Sequence, residues 1–436
     1  MVTATYSTVA LTLGLVVARP RIGARFRLTP ATAVTAGVAV LTALGSVRVA
    51  DIGWAASTMW RPLLGVVSIM VMTGVARRMG VLDGIAEIIF RRAARSAGGL
   101  FAAVFAFGTV TAAVLNNDSA ILLLTPLVVD IARRRRPDLV IPLAFAVFLS
   151  AGVAPLVVSN PMNMVVASYA GIGFNDYARA MALPSIAGGL TTFAVAWLVF
   201  RRSLGARGPR SGRECGREAT RAQSARAVSG AGVSGAEPLT LTGLRLVTLL
   251  ALGAVVVAYP VVSYFGGPVW IVAAAGAVLL LAIGAVARCP TREVLRDGVH
   301  ADTLLFLVGA LILSIGLRNV GILSHLASVY DGASPMKVGL VSAVGSAILN
   351  NHPMSHLNMF ALGAHGAGGD AHAPSVLAAL IGGDLGPRMF PMGSLAGLLW
   401  FEMLRRGGVE LPMRRFLWIG ATATLPALFV SLYFLA

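Results

Sequence analysis

Residues 113–126 read AVLNNDSAILLLTP, and residues 347–360 read AILNNHPMSHLNMF. Each stretch sets a pair of asparagines inside an apolar run. What those asparagines do depends on the solvent around them. With 57% hydrophobic and only 12% charged residues among 436, the chain has too little charge to cover a water-soluble surface. Apolar runs extend from residue 4 to residue 435, several of them near or beyond the roughly 18 residues that mark a membrane-spanning helix. The chain therefore reads as an all-α polytopic membrane protein, and the asparagines lie within its spans.

A net charge of +17 would suit nucleic acid, but the arginines mostly flank apolar runs. That is how membrane proteins encode orientation, so a nucleic-acid partner is not expected. Lys337 is the one lysine among 35 basic residues, a pattern that reads as codon preference. Cys215 and Cys289 are too few and too far apart for a disulfide framework or a metal cage. The first run has no basic residue before it in MVTATYST and four arginines after it in RPRIGARFR. That order reverses a cleavable signal peptide, so a spanning helix with its amino end outside is expected.

Placing basic loops in the cytoplasm threads the first half, 1–200. Helices are expected at about 4–18, 29–46 and 61–76, followed by an interfacial amphipathic helix in GVLDGIAEIIFRRAARSAG. The run 98–132 begins after Arg95 and ends at Arg133–Arg136, with Asn116, Asn117 and Asp118 midway. Entering and leaving on one side with a polar break marks a re-entrant hairpin, which membranes tolerate only where protein or a wet cavity surrounds it. Residues 139–170 are too long for one crossing, and their centre, GVAPLVVSNPMNM, carries Pro155 and Pro161. Those prolines predict a broken helix, and a crossing over 182–200 follows.

Residues 201–240, rich in Arg, Ser and Gly, read as a cytoplasmic linker without a core of its own. The second half, 241–436, repeats the first with reversed sidedness. It has helices at about 244–262, 269–287 and 302–317 with a basic loop at Arg288, Arg292 and Arg296, then a hairpin over 336–363. A broken helix over 375–402 and a last helix over 416–435 complete it. Asn116 and Asn350 stand 234 apart, and Pro155 and Pro387 stand 232 apart. An inverted repeat with about ten transmembrane helices, two re-entrant hairpins and two broken helices is the expected fold, the architecture of secondary transporters.

Such a fold would bring both tips and both breaks to the midplane. Asparagine caps a half-helix and still offers donors and acceptors to a solute, so capping and solute binding are both open for each one. Asp118 and Asp384 are candidates for proton coupling, because carboxylates in membrane interiors usually mark ion paths. Arg388, four residues after Asp384, is either its ion-pair partner or a fixed positive charge. Ser119, Ser159, Asn160 and Asn163 in the first half, and Asn351, Gly393 and Ser394 in the second, complete the candidate lining, the glycine for a positive φ or a close backbone approach. His352 and His356 have an i, i+4 metal-ligand spacing, but no third ligand accompanies them. No metal, cofactor or catalytic residue is expected.

The tips VLNNDSAILLLTPLV and AILNNHPM, the break APLVVSNPMNMV and above all IGGDLGPRMFPMGSLAGLLW resemble the ArsB-type arsenite permeases of the ion-transporter superfamily. The resemblance runs from TVALTLGLVVARP to LPALFVSLYFLA. It implies an elevator-type exporter of arsenite or antimonite hydroxides in a bacterial cytoplasmic membrane. Export would be driven by proton antiport or assisted by a cytoplasmic ATPase subunit, and a homodimer would be in keeping with elevator relatives. Binding positions implied by it are Asn116, Asn117, Asp118, Ser159, Asn160, Asn350, Asn351, Asp384 and Ser394. A carrier of another small anion such as a dicarboxylate is the alternative, although the Ser-Asn-Thr signature of those relatives is missing. An intramembrane enzyme built on His352, His356 and Asp384 would need one asymmetric cluster, whereas the candidate sites come in pairs. Single cysteines at positions 134 and 370 should react with an impermeant thiol reagent from opposite faces of the membrane. Labelling from one face would break the inverted threading.

Overall fold

A computed structural model describes residues 1–22, 26–93, 96–152, 154–205, 243–363 and 373–435. The glycine-histidine stretch with His365 and His372, most of the expected linker and Cys215 lie outside the described residues. The first half contains α1 (Val2–Ala18), α2 (Pro30–Ala43), α3 (Val49–Arg78), α4 (Val81–Ala93), α5 (Ala97–Leu115), α6 (Asn117–Arg135), α7 (Val140–Ser150), α8 (Pro161–Ala170) and α9 (Phe174–Gly205). The second contains α10 (Gly243–Tyr264), α11 (Val269–Val286), α12 (Thr291–Gly298), α13 (Ala301–Asn319), α14 (Ile322–Tyr330), α15 (Pro335–Leu349), α16 (Asn351–Ala361), α17 (Ala373–Leu385), α18 (Leu395–Arg406) and α19 (Met413–Leu435). A two-residue ribbon, Arg21–Ile22 with Phe26–Arg27, is the β structure among the described residues.

Seven of the described helices are long and apolar enough to cross a membrane, and four shorter apolar helices accompany them. Several boundaries differ from expectation. Helix α3 begins at Val49 rather than near 61, because VADIGWAASTMW continues the helix with Asp51 accepting from the Arg48 amide at its start. Helix α9 spans 32 residues and carries the chain to Gly205, so the linker cannot begin at 201. The expected basic loop with Arg292 and Arg296 folds as α12, which Glu293 ties to Arg78 at the end of α3 by a 2.6 Å ion pair.

Both expected hairpins and both broken helices are present. Helices α5 and α6 meet at Asn116, with φ 75° and ψ 159°, and α15 and α16 meet at Asn350, with φ 81° and ψ 147°. A positive φ outside glycine is uncommon, and asparagine tolerates it better than most residues. In each tip the asparagine side chain also caps the helix it starts, accepting from Ser119 N at 2.8 Å and from His352 N at 3.3 Å.

The breaks correct the proline alignment. Helix α7 ends at Ser150 and a short 3-10 turn, Val157–Ser159, precedes Asn160, which caps α8. Helix α17 ends at Leu385, and the 3-10 turn Pro391–Gly393 precedes Ser394, which caps α18. Val157 and Pro391, like Asn160 and Ser394, stand 234 apart, as the tips do. Pro155 and Pro387 therefore fall at different places in the two breaks. On the 234 register, Asp118 corresponds to His352, Ser150 to Asp384 and Ala154 to Arg388.

Packing follows the same register. The second limb of each hairpin lies on the second helix of the other half's break, α6 on α18 and α16 on α8. One apolar core unites α1–α3, α8 and α10–α13 with parts of α15–α17, and a second unites α5–α7 with the end of α9, α18 and α19. Trp400 on α18 anchors the second core, edge-on to Phe145 at 5.2 Å and tilted over Phe148 at 4.8 Å. Aromatic pairs of this kind add about 0.5–1.5 kcal/mol beyond their burial. Trp400→Ala should cost about 3–5 kcal/mol, as large aromatic truncations in cores do. A thermal unfolding midpoint in detergent should fall clearly for Trp400→Ala and stay near wild type for exposed Trp418→Ala.

Candidate functional site

The tips and breaks enclose a chamber of about 40 Å³ lined by Asn117, Asp118, Ile121, Phe148, Gly152, Asn160, Asn351, Asp384, Pro387, Arg388 and Ser394 among others. A void of that size holds about three water-sized groups. Both tips and both breaks contribute to its wall. Asn117 and Asp118 come from the start of α6, Asn351 from the start of α16, and Asn160 and Ser394 from the caps of α8 and α18. Asp384 and Arg388 flank the end of α17.

Asp384 joins the two halves. Its carboxylate accepts from Asn160 Nδ2 through Oδ1 and from Asn163 Nδ2 at 2.8 Å through Oδ2. Asn160 also caps α8, its Oδ1 accepting from Met162 N at 3.1 Å. Of the two roles open to Arg388, the helical ion pair with Asp384 does not form. Helix α17 stops at Leu385 and the chain turns through a 3-10 segment over Gly386–Arg388, so four-residue spacing no longer places the two side chains on one face.

Arg388 is buried, with Nη1 3.5 Å from Thr192 Oγ1 on α9 and with Nε and Nη2 lacking any partner. Its guanidinium lies so close to Gly152 that a Cβ there would overlap it. Thr192 and Gly152 were not singled out by sequence. Thr192 sits in an ordinary apolar helix and offered no signal, whereas Gly152 at the start of the break offered only its small size.

The two asparagines of each pair divide the work. Asn116 and Asn350 cap, and Asn350 Nδ2 also donates to Met392 O in the second break at 3.2 Å. Asn117 and Asn351 line the chamber, and the side-chain Oδ1 of each lacks a hydrogen-bond partner. Asp118 lines it too, among residues that offer its carboxylate no hydrogen bond. Ser159 instead ties the break to the hairpin, donating to Ala113 O at 3.2 Å. Gly393 does not take the expected positive φ. A Cβ there would fall 2.6 Å from Pro387 Cα, so it serves the close approach of the two turns.

Ser119 faces a separate cavity of about 420 Å³ with Thr73, Arg77, Arg78, Asp83, Leu122, Leu123 and His300. Helix α6 thus has this vestibule on one side and the chamber on the other. In the interfacial α4, burial raises the Asp83 carboxyl above its ordinary range, opposed by Arg77 and Arg245. His352 and His356 are buried outside the chamber wall, and the His352 ring stands edge-on to Phe306 at 5.4 Å.

A family model described as citrate transporter matches residues 10–382. The chain belongs to the citrate transporter family. It is 28% identical to an arsenical pump membrane protein of Escherichia coli, over 92% of this chain and 92% of that one. Another arsenical pump membrane protein, from Yersinia enterocolitica, is 28% identical over 99% of this chain and 97% of its own length. Among solved structures, the YdaH transporter of Alcanivorax borkumensis superposes with a TM-score of 0.55 at 17% identity, covering 100% of this chain and 96% of that chain. That likeness shows the fold. This family member is a multi-pass transporter of the cytoplasmic membrane and not an enzyme. Gly152→Val should displace Arg388 and lower the yield of monodisperse protein in detergent, whereas Gly14→Val, at an open position, should leave the yield unchanged.

Proposed function

We propose that the protein exports arsenite and antimonite hydroxides by proton antiport, with the chamber as the binding site. The observation that carries this reading is that Asn117 and Asn351 both line one small void while their side-chain oxygens, Oδ1 of each, have no hydrogen-bond partner. A buried acceptor left unmade costs about 1–3 kcal/mol, so the site favours a solute that brings O–H donors. Arsenous acid near neutral pH is an uncharged trihydroxide, with a donor and an acceptor at each oxygen. It needs no fixed counter-charge, and it needs no thiolate. Likeness to arsenical pump membrane proteins over nearly the whole chain supports the same substrate.

Asp118 is the proton carrier in this reading, because its carboxylate lines the chamber without a hydrogen-bond partner. Asp384, held by Asn160 and Asn163, is the second acid on the chamber wall. The two halves act as inverted repeats, and the hairpins and breaks move together past α1–α3 and α10–α13 in an elevator step. Asn116, Ser159, Asn163, Asn350 and Gly393 shape the site without lining it, while Ser394 and Asn160 line it as caps.

Transport of a small oxyanion is the second reading, favoured by the two free donors of Arg388 and by the description of the family. Two negative groups on the same wall weigh against it. Expression in an arsenite-sensitive host should lower cell arsenic, and Asn117→Ala or Asn351→Ala should each weaken export about tenfold, the worth of one lost hydrogen bond. Asp118→Asn should abolish it. Cell arsenic unchanged by correctly inserted wild-type protein would end the substrate assignment, and citrate uptake by the same cells would install the second reading.

A further inference from the structure

A guanidinium in the interior of a membrane protein is costly unless an opposite charge shares its surroundings. Arg388 is 3% exposed, and its Nε and Nη2 have no partner. The ionisable side chains on the chamber wall are Asp118, Asp384 and Arg388. Tyr177 on α9 adds its hydroxyl near Asp384, and Thr192 adds a neutral one at Arg388. Among the described residues of α15, α16 and α19, which complete the packing around this turn, no ionisable side chain reaches the wall.

With Arg388 positive, the chamber carries one net negative charge when both acids are ionised and none when they share one proton. A proton-loaded chamber is therefore neutral, the form that crosses a low-dielectric layer at least cost. A bound alkali cation would achieve the same balance, but the oxygens left open on the wall, on Asn117, Asn351 and Asp118, are the ones that the solute and the transported proton use in the transport reading above. Both Asp384 oxygens already accept amide N–H groups, and Asn160 Oδ1 is committed to capping α8. The two halves also differ here. Ala154 holds the position equivalent to Arg388, and Ser150 holds that of Asp384, so the second break alone carries the positive charge, and it carries a second acid with it.

We propose that Arg388 is a built-in counter-cation, balancing Asp384 across the break so that Asp118 alone exchanges the transported proton and no sodium or potassium is needed. Asp118 takes that proton from the outer water and gives it up to the cytoplasm, with one solute moving out in exchange. Arg388 is a positioning and charge-setting residue in this scheme, and Gly152 leaves the space that holds it. The inference rests on the transport reading above, but its test has an arm that needs no substrate.

Five full-length proteins decide it: wild type, Arg388→Lys, Arg388→Gln, Asp384→Asn and the double variant Asp384→Asn with Arg388→Gln. In proteoliposomes with a pH gradient, wild-type arsenite transport should be the same with sodium, potassium or N-methylglucamine as the sole added cation. Arg388→Lys should retain most of the rate, and Arg388→Gln should lose about tenfold or more, as expected for a buried charge left uncompensated. The double variant should recover activity, because Asp118 keeps its role in a chamber with neither charge. In detergent, thermal midpoints should fall for each single neutralisation and return in the double variant. Sodium- or potassium-dependent wild-type transport, a fully active Arg388→Gln, or additive losses in the midpoints would each overturn the proposal. Wild type that carries no arsenite but shows the paired recovery in midpoints would sink the substrate reading alone and uphold the counter-cation.

Discussion

Backbone that leaves its helix inside a bilayer finds no water, so each freed amide and carbonyl must be satisfied by the protein itself. Among the described residues the chain leaves its helix inside the bundle at two tips and two breaks, and each departure is bonded locally. Asn116 and Asn350 cap the tips, and Asn160 and Ser394 cap the helices that follow the breaks. Cross-links then hold the departures together. Ser159 reaches the first hairpin, Asn350 reaches the second break, and Asp384 accepts from both asparagines of the first break. The chamber is what remains where those satisfied ends meet. The unmade hydrogen bonds on its wall are concentrated on Asn117, Asn351 and Arg388.

Asp384 shows how much one group contributes to this arrangement. A carboxylate buried among apolar helices is expensive, and two amide donors from the opposite half of the sequence offset that cost. The bonds run between residues more than 220 positions apart, so they define how the two halves sit against each other. Trp400 does the same through packing, joining α18 to Phe145 and Phe148 on α7. Polar and apolar contacts thus connect the same pair of breaks.

Much of this was legible in the sequence because an asparagine pair or a proline inside an apolar run is costly unless the helix ends there. Tips and breaks appeared at the expected residues. What failed had local causes. Prolines mark where a helix stops, and Pro155 and Pro387 stop theirs at different points of a break, so their spacing of 232 differs from the 234 that separates the two tips and the two caps after the breaks. Whether Arg388 pairs with Asp384 was open, because i, i+4 spacing pairs side chains only on a continuous helix, and the helix ends between them. Thr192 was invisible because nothing in an apolar helix tells which threonine will meet an arginine from elsewhere. The division of each asparagine pair into a cap and a lining residue was likewise open, since both members have the same chemistry and only the turn geometry separates them.

In the proposed transport cycle a solute bridges Asn117 and Asn351. Antimony scatters strongly, so an experimental structure of the protein with antimonite tests that bridge directly. One antimony peak within hydrogen-bonding reach of both amide oxygens, with its hydroxyls between the tips, is the expected result. A peak confined to the vestibule beside Arg77 and His300, with the chamber empty, would contradict it.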